Sequence, residues 1–428
     1  MRFLVFALLL LALLTPLPVF ANPDADSDLA RRALQAACPA AQPEPVIEAL
    51  RAEAAAAPQV NAIDLGLGLT GWRVVATLKD GGTLQVSRLA SGATLQRVVV
   101  ELDRPSAADQ PPRPLLQARV ERDCQRIEAR SLVYGASGRI EAVALLDEHL
   151  QPTGRTLPFD PPLPAGSDPG GITVALLDTG VNYLQAAIAE RLARAPDGAA
   201  LGYDFEDDDP RPFDLNLALS PFHPGRHGTL VANALLREAA PVRLIPLRYP
   251  RSQPEKLADA VELAARQGAK ILLVGLGGRR AEDWQGFAAA LRNHPELLAI
   301  VSAGRDGEDI DDRAYYPAAL GLPNVLTVGA ADGFGQPVRS NWGLRRVDVL
   351  APAERLVLRN FDEVEETVAG AEFAAARVAA LATRLLAAQP ALNAAQLKAA
   401  LLARARLSDS GGRARSAYGV IPEEAFGR

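Results

Sequence analysis

Cysteine is scarce in this chain: there are two among 428 residues, Cys38 and Cys124, both in the first third. Neither has the second nearby Cys or His that a zinc site needs, which excludes that class of structural metal centre. In an oxidising compartment the pair is expected to form one disulfide tying an N-terminal helix to a later strand. Two unrelated buried thiols are the alternative. Aromatic residues are also few, at 5 %, and no run of Lys and Arg is interleaved with them. With 51 acidic residues against 45 basic ones and a net charge of −6, nucleic acid is not an expected partner. Beyond the first residues no apolar run is long enough to cross a bilayer. What the chain does have is 49 % hydrophobic residues, 22 % charged residues and 34 Gly, over a length that suggests two or three domains. That balance excludes a disordered or fibrous chain.

The first residues read as an address. Arg2 supplies a positive start, Phe3 to Leu14 an apolar core and Val19-Phe20-Ala21 a cleavage end, which together make a secretory signal peptide of residues 1–21. Pro16 and Pro18 interrupt the run before the roughly 20 residues that a span needs, so an uncleaved membrane anchor is the weaker alternative. The protein is therefore expected to be secreted or periplasmic. Without residues 1–21 it carries 44 basic and 51 acidic residues, a net −7.

The remainder changes character twice. Residues 28–57 are rich in Ala, Leu, Glu and Arg, and Pro39, Pro43 and Pro45 split them into two helices. Residues 72–78 and 83–87 read as strands joined by the turn Lys79-Asp80-Gly81-Gly82, and residues 95–102, 115–122, 126–134 and 139–146 continue as short strands. Residues 22–157 are thus expected to be a small α+β, mainly antiparallel β domain. A proline-rich linker follows at 158–170, where Pro158, Pro161, Pro162 and Pro164 favour extended backbone outside a sheet. In residues 171–428, apolar strands at 172–177, 243–247, 270–276, 297–302 and 324–329 alternate with helical patterns at 183–194, 255–267 and 283–293, and two Ala/Leu-rich helices come near the end. Such alternation predicts an α/β fold with a doubly wound parallel sheet.

In such a sheet, sites form at the carboxyl ends of strands. Asp178 stands there, in Leu176-Leu177-Asp178-Thr179-Gly180-Val181. His227 opens a helix in Arg226-His227-Gly228-Thr229-Leu230-Val231-Ala232. Taken singly, one reads as a turn residue and the other as a cap. Taken in order with Val274-Gly275-Leu276-Gly277-Gly278, Ser302-Ala303-Gly304-Arg305-Asp306-Gly307, Tyr316-Pro317-Ala318, Ser340-Asn341-Trp342-Gly343 and Ala417-Tyr418-Gly419, they resemble the subtilisin-like serine proteases over residues 171–421. The resemblance implies a subtilisin-like fold, Asp178 and His227 at the acid and base positions, and Gly275, Leu276, Gly277 and Gly278 on the substrate-edge strand.

The departures fall where catalysis would occur. The family's Gly-Thr-Ser-x-Ala is here Gly370-Ala371-Glu372-Phe373-Ala374, so Glu372 replaces the serine nucleophile. Arg305 replaces the oxyanion asparagine, and Gly275 the serine of the edge strand. A carboxylate has no proton to give an imidazole, so standard peptidase chemistry is expected to be absent and an ion-pair cluster of Asp178, His227, Glu372 and Arg305 to fill the site. The expected function is that of a pseudopeptidase that binds a peptide or protein, with no cofactor and no metal. The alternative is a hydrolase with a rearranged nucleophile, or with a metal bound by Asp178, His227 and Glu372, a ligand set that Arg305 disfavours. Thr367, five residues before Glu372, is the candidate hydroxyl if the loop is shifted; Ser340 is better explained by its turn. His149 and His223 read as surface or loop residues, and the acidic run Asp204 to Asp209 as a solvated loop without EF-hand spacing.

Overall fold

Leu29, Ala30, Ala33, Leu34 and Ala37 lie on one face of helix α1 (Pro23–Ala37), and that face is buried while Asp24 and the Arg side chains point outward. It covers a sheet whose strands alternate buried and exposed residues, as a one-sided antiparallel sheet must. The computed structural model describes residues 23–106, 112–407 and 415–427, so the signal peptide expected at 1–21 lies outside the described residues. The chain divides into two units, Met1–Phe159 and Asp160–Arg428.

In the first unit α1 and α2 (Glu44–Leu50) precede eight strands: β1 (Gln59–Asp64), β2 (Leu69–Thr77), β3 (Thr83–Ser91), β4 (Thr94–Arg104), β5 (Arg113–Glu121), β6 (Ile127–Tyr134), β7 (Ile140–Leu146) and β8 (Pro152–Pro158). They form one antiparallel meander in chain order. Trp72, Val74, Leu84, Val86, Val98, Val100 and Leu102 supply its covered face. Cys38, just past α1, and Cys124, in the turn between β5 and β6, form the disulfide, with Cα atoms 6.2 Å apart and a sequence separation of 86. β1 and β8, the two edges of the sheet, carry no buried alternation and were not expected from sequence.

The second unit holds a seven-stranded parallel sheet in the order β10-β11-β9-β12-β13-β14-β15. Its strands are β9 (Ile172–Asp178), β10 (Tyr203–Asp204), β11 (Val242–Arg248), β12 (Ile271–Val274), β13 (Leu298–Ser302), β14 (Val325–Ala331) and β15 (Val349–Pro352). Successive residues of β9 feed opposite layers. Val174 and Leu176 join the cluster under α4 (Gly228–Glu238) and α7 (Ala371–Ala388), whereas Ala175 and Leu177 join that under α5 (Leu257–Arg266) and α6 (Gln285–Asn293). Helix α8 (Ala394–Leu402) packs beside α7. A short hairpin, β16 (Leu356–Arg359) with β17 (Glu365–Val368), leads into α7. This is the doubly wound α/β fold expected, and the unit that precedes it in the chain is the antiparallel β one.

Two expectations need correction. The helix at 183–194 shrinks to one turn, α3 (Ala186–Ala189), because the chain then runs extended: Ala193 N–H donates to Leu244 O at 2.8 Å, and Leu244 N–H to Arg191 O. The acidic run is not merely solvated. Asp204 is 2 % exposed and paired with Arg248 at 2.6 Å, Arg248 also holds Asp207, and Lys256 holds Asp208 at 2.6 Å. Burial, outweighing Arg248, pushes the Asp204 carboxyl up to about 6. Among the described residues no helix is long and apolar enough to cross a membrane.

Candidate active site

Because every strand of the second sheet runs the same way, the segments that follow β9, β12 and β13 emerge on one edge. Asp178 ends β9, Gly275 follows β12 and Arg305 lies three residues beyond β13. From the facing layer, α4 begins at Gly228 with His227 as its first flanking residue, and Glu372 sits in the first turn of α7. The two helix starts and the strand ends thus bring Asp178, His227, Glu372 and Arg305 together.

The geometry is a chain of charges. His227 Nδ1 lies 2.6 Å from Asp178 Oδ1. Its Nε2 lies 3.9 Å from Glu372 Oε1, and Arg305 Nη1 lies 3.8 Å from that same oxygen. Asp178 is fully buried, Glu372 is 3 % exposed, and Arg305 reaches in from solvent. Burial opposes a charge on the ring, but the Asp178 carboxylate first and Glu372 second outweigh it and hold the imidazolium well above the usual histidine range. The two carboxylates face opposite ring nitrogens, so a single cation coordinated by the ring cannot also be reached by both. Among the described residues no group of His, Cys, Asp and Glu converges on a metal position.

Two glycines make the arrangement possible. A Cβ on Gly370, whose φ is 156°, would lie 2.5 Å from Glu372 Oε1, so the Glu372 side chain folds back over a residue that has none. A Cβ on Gly275 would lie 2.2 Å from Asp178 Oδ2, an oxygen that is buried without a hydrogen-bond partner among the described residues. A serine at 275 therefore does not fit the present position of Asp178.

Other residues hold the site and were not singled out from sequence. Asp214 is fully buried; its carboxylate accepts the Thr179 hydroxyl at 2.6 Å, the Thr229 N–H at 2.9 Å and the His227 N–H at 3.2 Å. Thr179 Oγ1 in turn accepts the Gly228 N–H at 2.9 Å. These bonds fasten the start of α4 to the end of β9, which aims His227 at Asp178. Asn341, also fully buried, accepts the N–H groups of Asp306 and Glu308 and donates to Ala303 O, so it shapes the loop that carries Arg305. Ser340 donates to Asn341 O and accepts from Ala330 N–H, which is the turn role expected of it. Thr367 lies on β17 opposite Val357, and no hydroxyl among the described residues is hydrogen-bonded to the His227 ring. Gly278 pairs with Tyr316 through two 2.8 Å hydrogen bonds, which fixes residues 275–278 as one border of the crevice.

Residues 170–420 match the profile of the Subtilase family. The thermophilic serine proteinase of Bacillus sp. (strain AK1) is 27 % identical over 230 residues, covering 50 % of this chain and 52 % of that protein. The alkaline serine exoprotease A of Vibrio alginolyticus is 27 % identical over 262 residues, covering 59 % of this chain and 45 % of that protein. The chain thus spans about half the length of the curated relatives it matches. Among solved structures, the A-subunit of the AB5 toxin from E. coli superposes with a TM-score of 0.50 at 20 % identity, over 60 % of this chain and 91 % of that one. At that identity the likeness speaks for the fold alone.

Proposed function

The chain belongs to the subtilase family, and from that membership we propose an exported protein that keeps the fold and holds a peptide or protein in the cleft without cutting it. The observation that carries this reading is Glu372, seated in the first turn of α7 with its carboxylate facing His227 Nε2. Attack on a peptide carbonyl by the family route needs a hydroxyl there and a neutral imidazole to take its proton. Here the side chain has no proton to give, and the imidazole is held in its charged form by two carboxylates. Removing the nucleophile from such a triad costs about 10⁶-fold in turnover, and losing an oxyanion donor about 10²–10³-fold. Arg305, in the oxyanion position, is engaged with Glu372. A bound extended peptide would add to the edge at residues 275–278 through main-chain hydrogen bonds. The leader at residues 1–21 supports export.

A fluorophosphonate probe tests the reading directly. The purified mature chain should not be labelled, and no peptide bond of a casein substrate should be cut. Labelling of the wild-type chain at Thr367 or at any serine would return it to the hydrolases. Glu372→Ser combined with Arg305→Asn is the positive control: probe adduct at position 372 shows that the pocket is reachable and that the wild-type result is informative.

A further inference from the structure

The antiparallel sheet of the first unit buries one charge that no described residue neutralises. Arg88, on β3, is 8 % exposed. Its Nε is buried without a hydrogen-bond partner, and among the described residues its guanidinium forms no hydrogen bond and no ion pair. The other buried arginines among the described residues are all held. Arg194 donates to the Gly198 and Pro164 carbonyls, Arg248 is paired with Asp204 and Asp207, and Arg377 with Glu238 and Glu423. Residues directly opposite each other on neighbouring strands share a face of the sheet. The register therefore sets Arg88 in a row with Trp72 on one side and Val98 and Val120 on the other. These neighbours carry no charge, and the Trp72 Nε1 is already spent on Ala41 O at 3.1 Å. That bond pins the chain over β2, while the Cys38–Cys124 disulfide pins it beside the turn that follows β5, so residues 38–41 cross the row above Arg88.

We infer that Arg88 is the floor of an anion site in the first unit, which receives a single carboxylate end-on at Nη1 and Nη2. A guanidinium does not lose its proton at any ordinary pH, so it cannot escape burial by becoming neutral. A buried charge without a partner is destabilising, and a partner that the chain does not supply must come from outside it. The chemistry of that partner follows from the surroundings. One positive charge matches one negative charge. The planar fork of the guanidinium matches a planar carboxylate through two parallel hydrogen bonds. A phosphate would bring more charge and more acceptors than this row, with no second cation and no free donor beside Arg88, can satisfy. With so little of Arg88 exposed, the charged end of the ligand enters and the rest stays outside.

Acetate, titrated into the mature full chain at constant ionic strength against chloride, reads this out in thermal unfolding. The wild type is expected to gain stability saturably, the ratio of folded to unfolded chain rising about a hundredfold at a hundredfold excess over Kd. Acetamide, which has the same shape and no charge, should do nothing. Arg88→Met, which removes the charge, should lose the acetate response and, without acetate, melt at or above the wild type. Arg88→Lys keeps the charge without the fork and should bind acetate about tenfold or more weakly. No response of the wild type to acetate overturns the inference. So does an equal response in a folded Arg88→Met, an undiminished affinity in Arg88→Lys should Arg88→Met not fold, or a preference for inorganic phosphate. Two peptides then identify the source of the carboxylate: N-acetylated tetra-alanine as the free acid, and its amide with glutamate as the last residue. Tighter binding than acetate by the first assigns a chain terminus, by the second an acidic side chain, and by neither a free small acid.

Discussion

Replacing Glu372 by Gln keeps the shape of the side chain and removes one charge 3.9 Å from the His227 Nε2. Two unit charges at that separation attract by about 1 kcal/mol in a water-like medium and by about 4 kcal/mol at the effective dielectric of about 20 that suits partly buried pairs. His227 is 28 % exposed and Glu372 only 4 %, so the interaction belongs between these limits. Loss of the charge also leaves the Arg305 guanidinium near the ring without its partner, which acts in the same direction. The imidazolium of Glu372→Gln should therefore release its proton at lower pH than in the wild type, while Asp178 still keeps it above the ordinary histidine range. Ring-nitrogen NMR through a pH series follows His227 directly. Stability carries the same sign. A folded-state value raised above the unfolded one of about 6.5 contributes stability that is complete below pH 6.5 and disappears as pH rises through the raised value. Urea midpoints of the wild type should thus fall with rising pH in that window, and the fall should be smaller in Glu372→Gln. A wild-type His227 that titrates at or below the ordinary range, or a midpoint that Glu372→Gln leaves in place, would refute the charge cluster.

Asp214→Ala strands the Thr179 hydroxyl and the N–H groups of Thr229 and His227, so a loss of about 3 kcal/mol or more is expected in urea unfolding. Gly370→Ala places a methyl group where the Glu372 carboxylate lies, and is expected both to cost about 1–3 kcal/mol and to lower the His227 titration midpoint; an unchanged midpoint would mean that the carboxylate finds the ring from another rotamer. Reducing the Cys38–Cys124 bridge removes a cross-link between residues 86 apart, for which loop-closure entropy predicts a loss of about 4–5 kcal/mol. Hydrogen exchange should show that loss in residues 23–159 and leave the parallel sheet protected.

How much of this was legible in the sequence depended on distance along the chain. Asp178, His227, Arg305 and Glu372 stand in short contiguous motifs at strand ends and helix starts, so local pattern was enough to find them. Asp214 was not found because its work is done across 35 residues to Thr179 and 15 to Thr229, and no local spacing marks it. Strands buried on both faces, such as β9 and β12, announced themselves as apolar runs. The edges β1 and β8 carry no buried alternation, and the four-residue strands of the β16–β17 hairpin are too short to show a period.

The replaced residues make sense only as a set. Glu372 can fold back toward His227 because residue 370 is glycine, and Asp178 can hold its present position because residue 275 is glycine. Each of these two carboxylates is matched by an absent side chain beside it, and the charges on Asp178, His227, Glu372 and Arg305 sum to zero when the ring is protonated. Reverting one position disturbs its neighbours. Glu372→Ser alone leaves the imidazole paired with Asp178 but returns no oxyanion asparagine. Measurable hydrolysis is therefore expected to require at least Glu372→Ser and Arg305→Asn together. A single Glu372→Ser variant with turnover near that of the combined one would show that the other replacements are incidental, and that the site is one substitution, not a rebuilt cluster, away from peptidase chemistry.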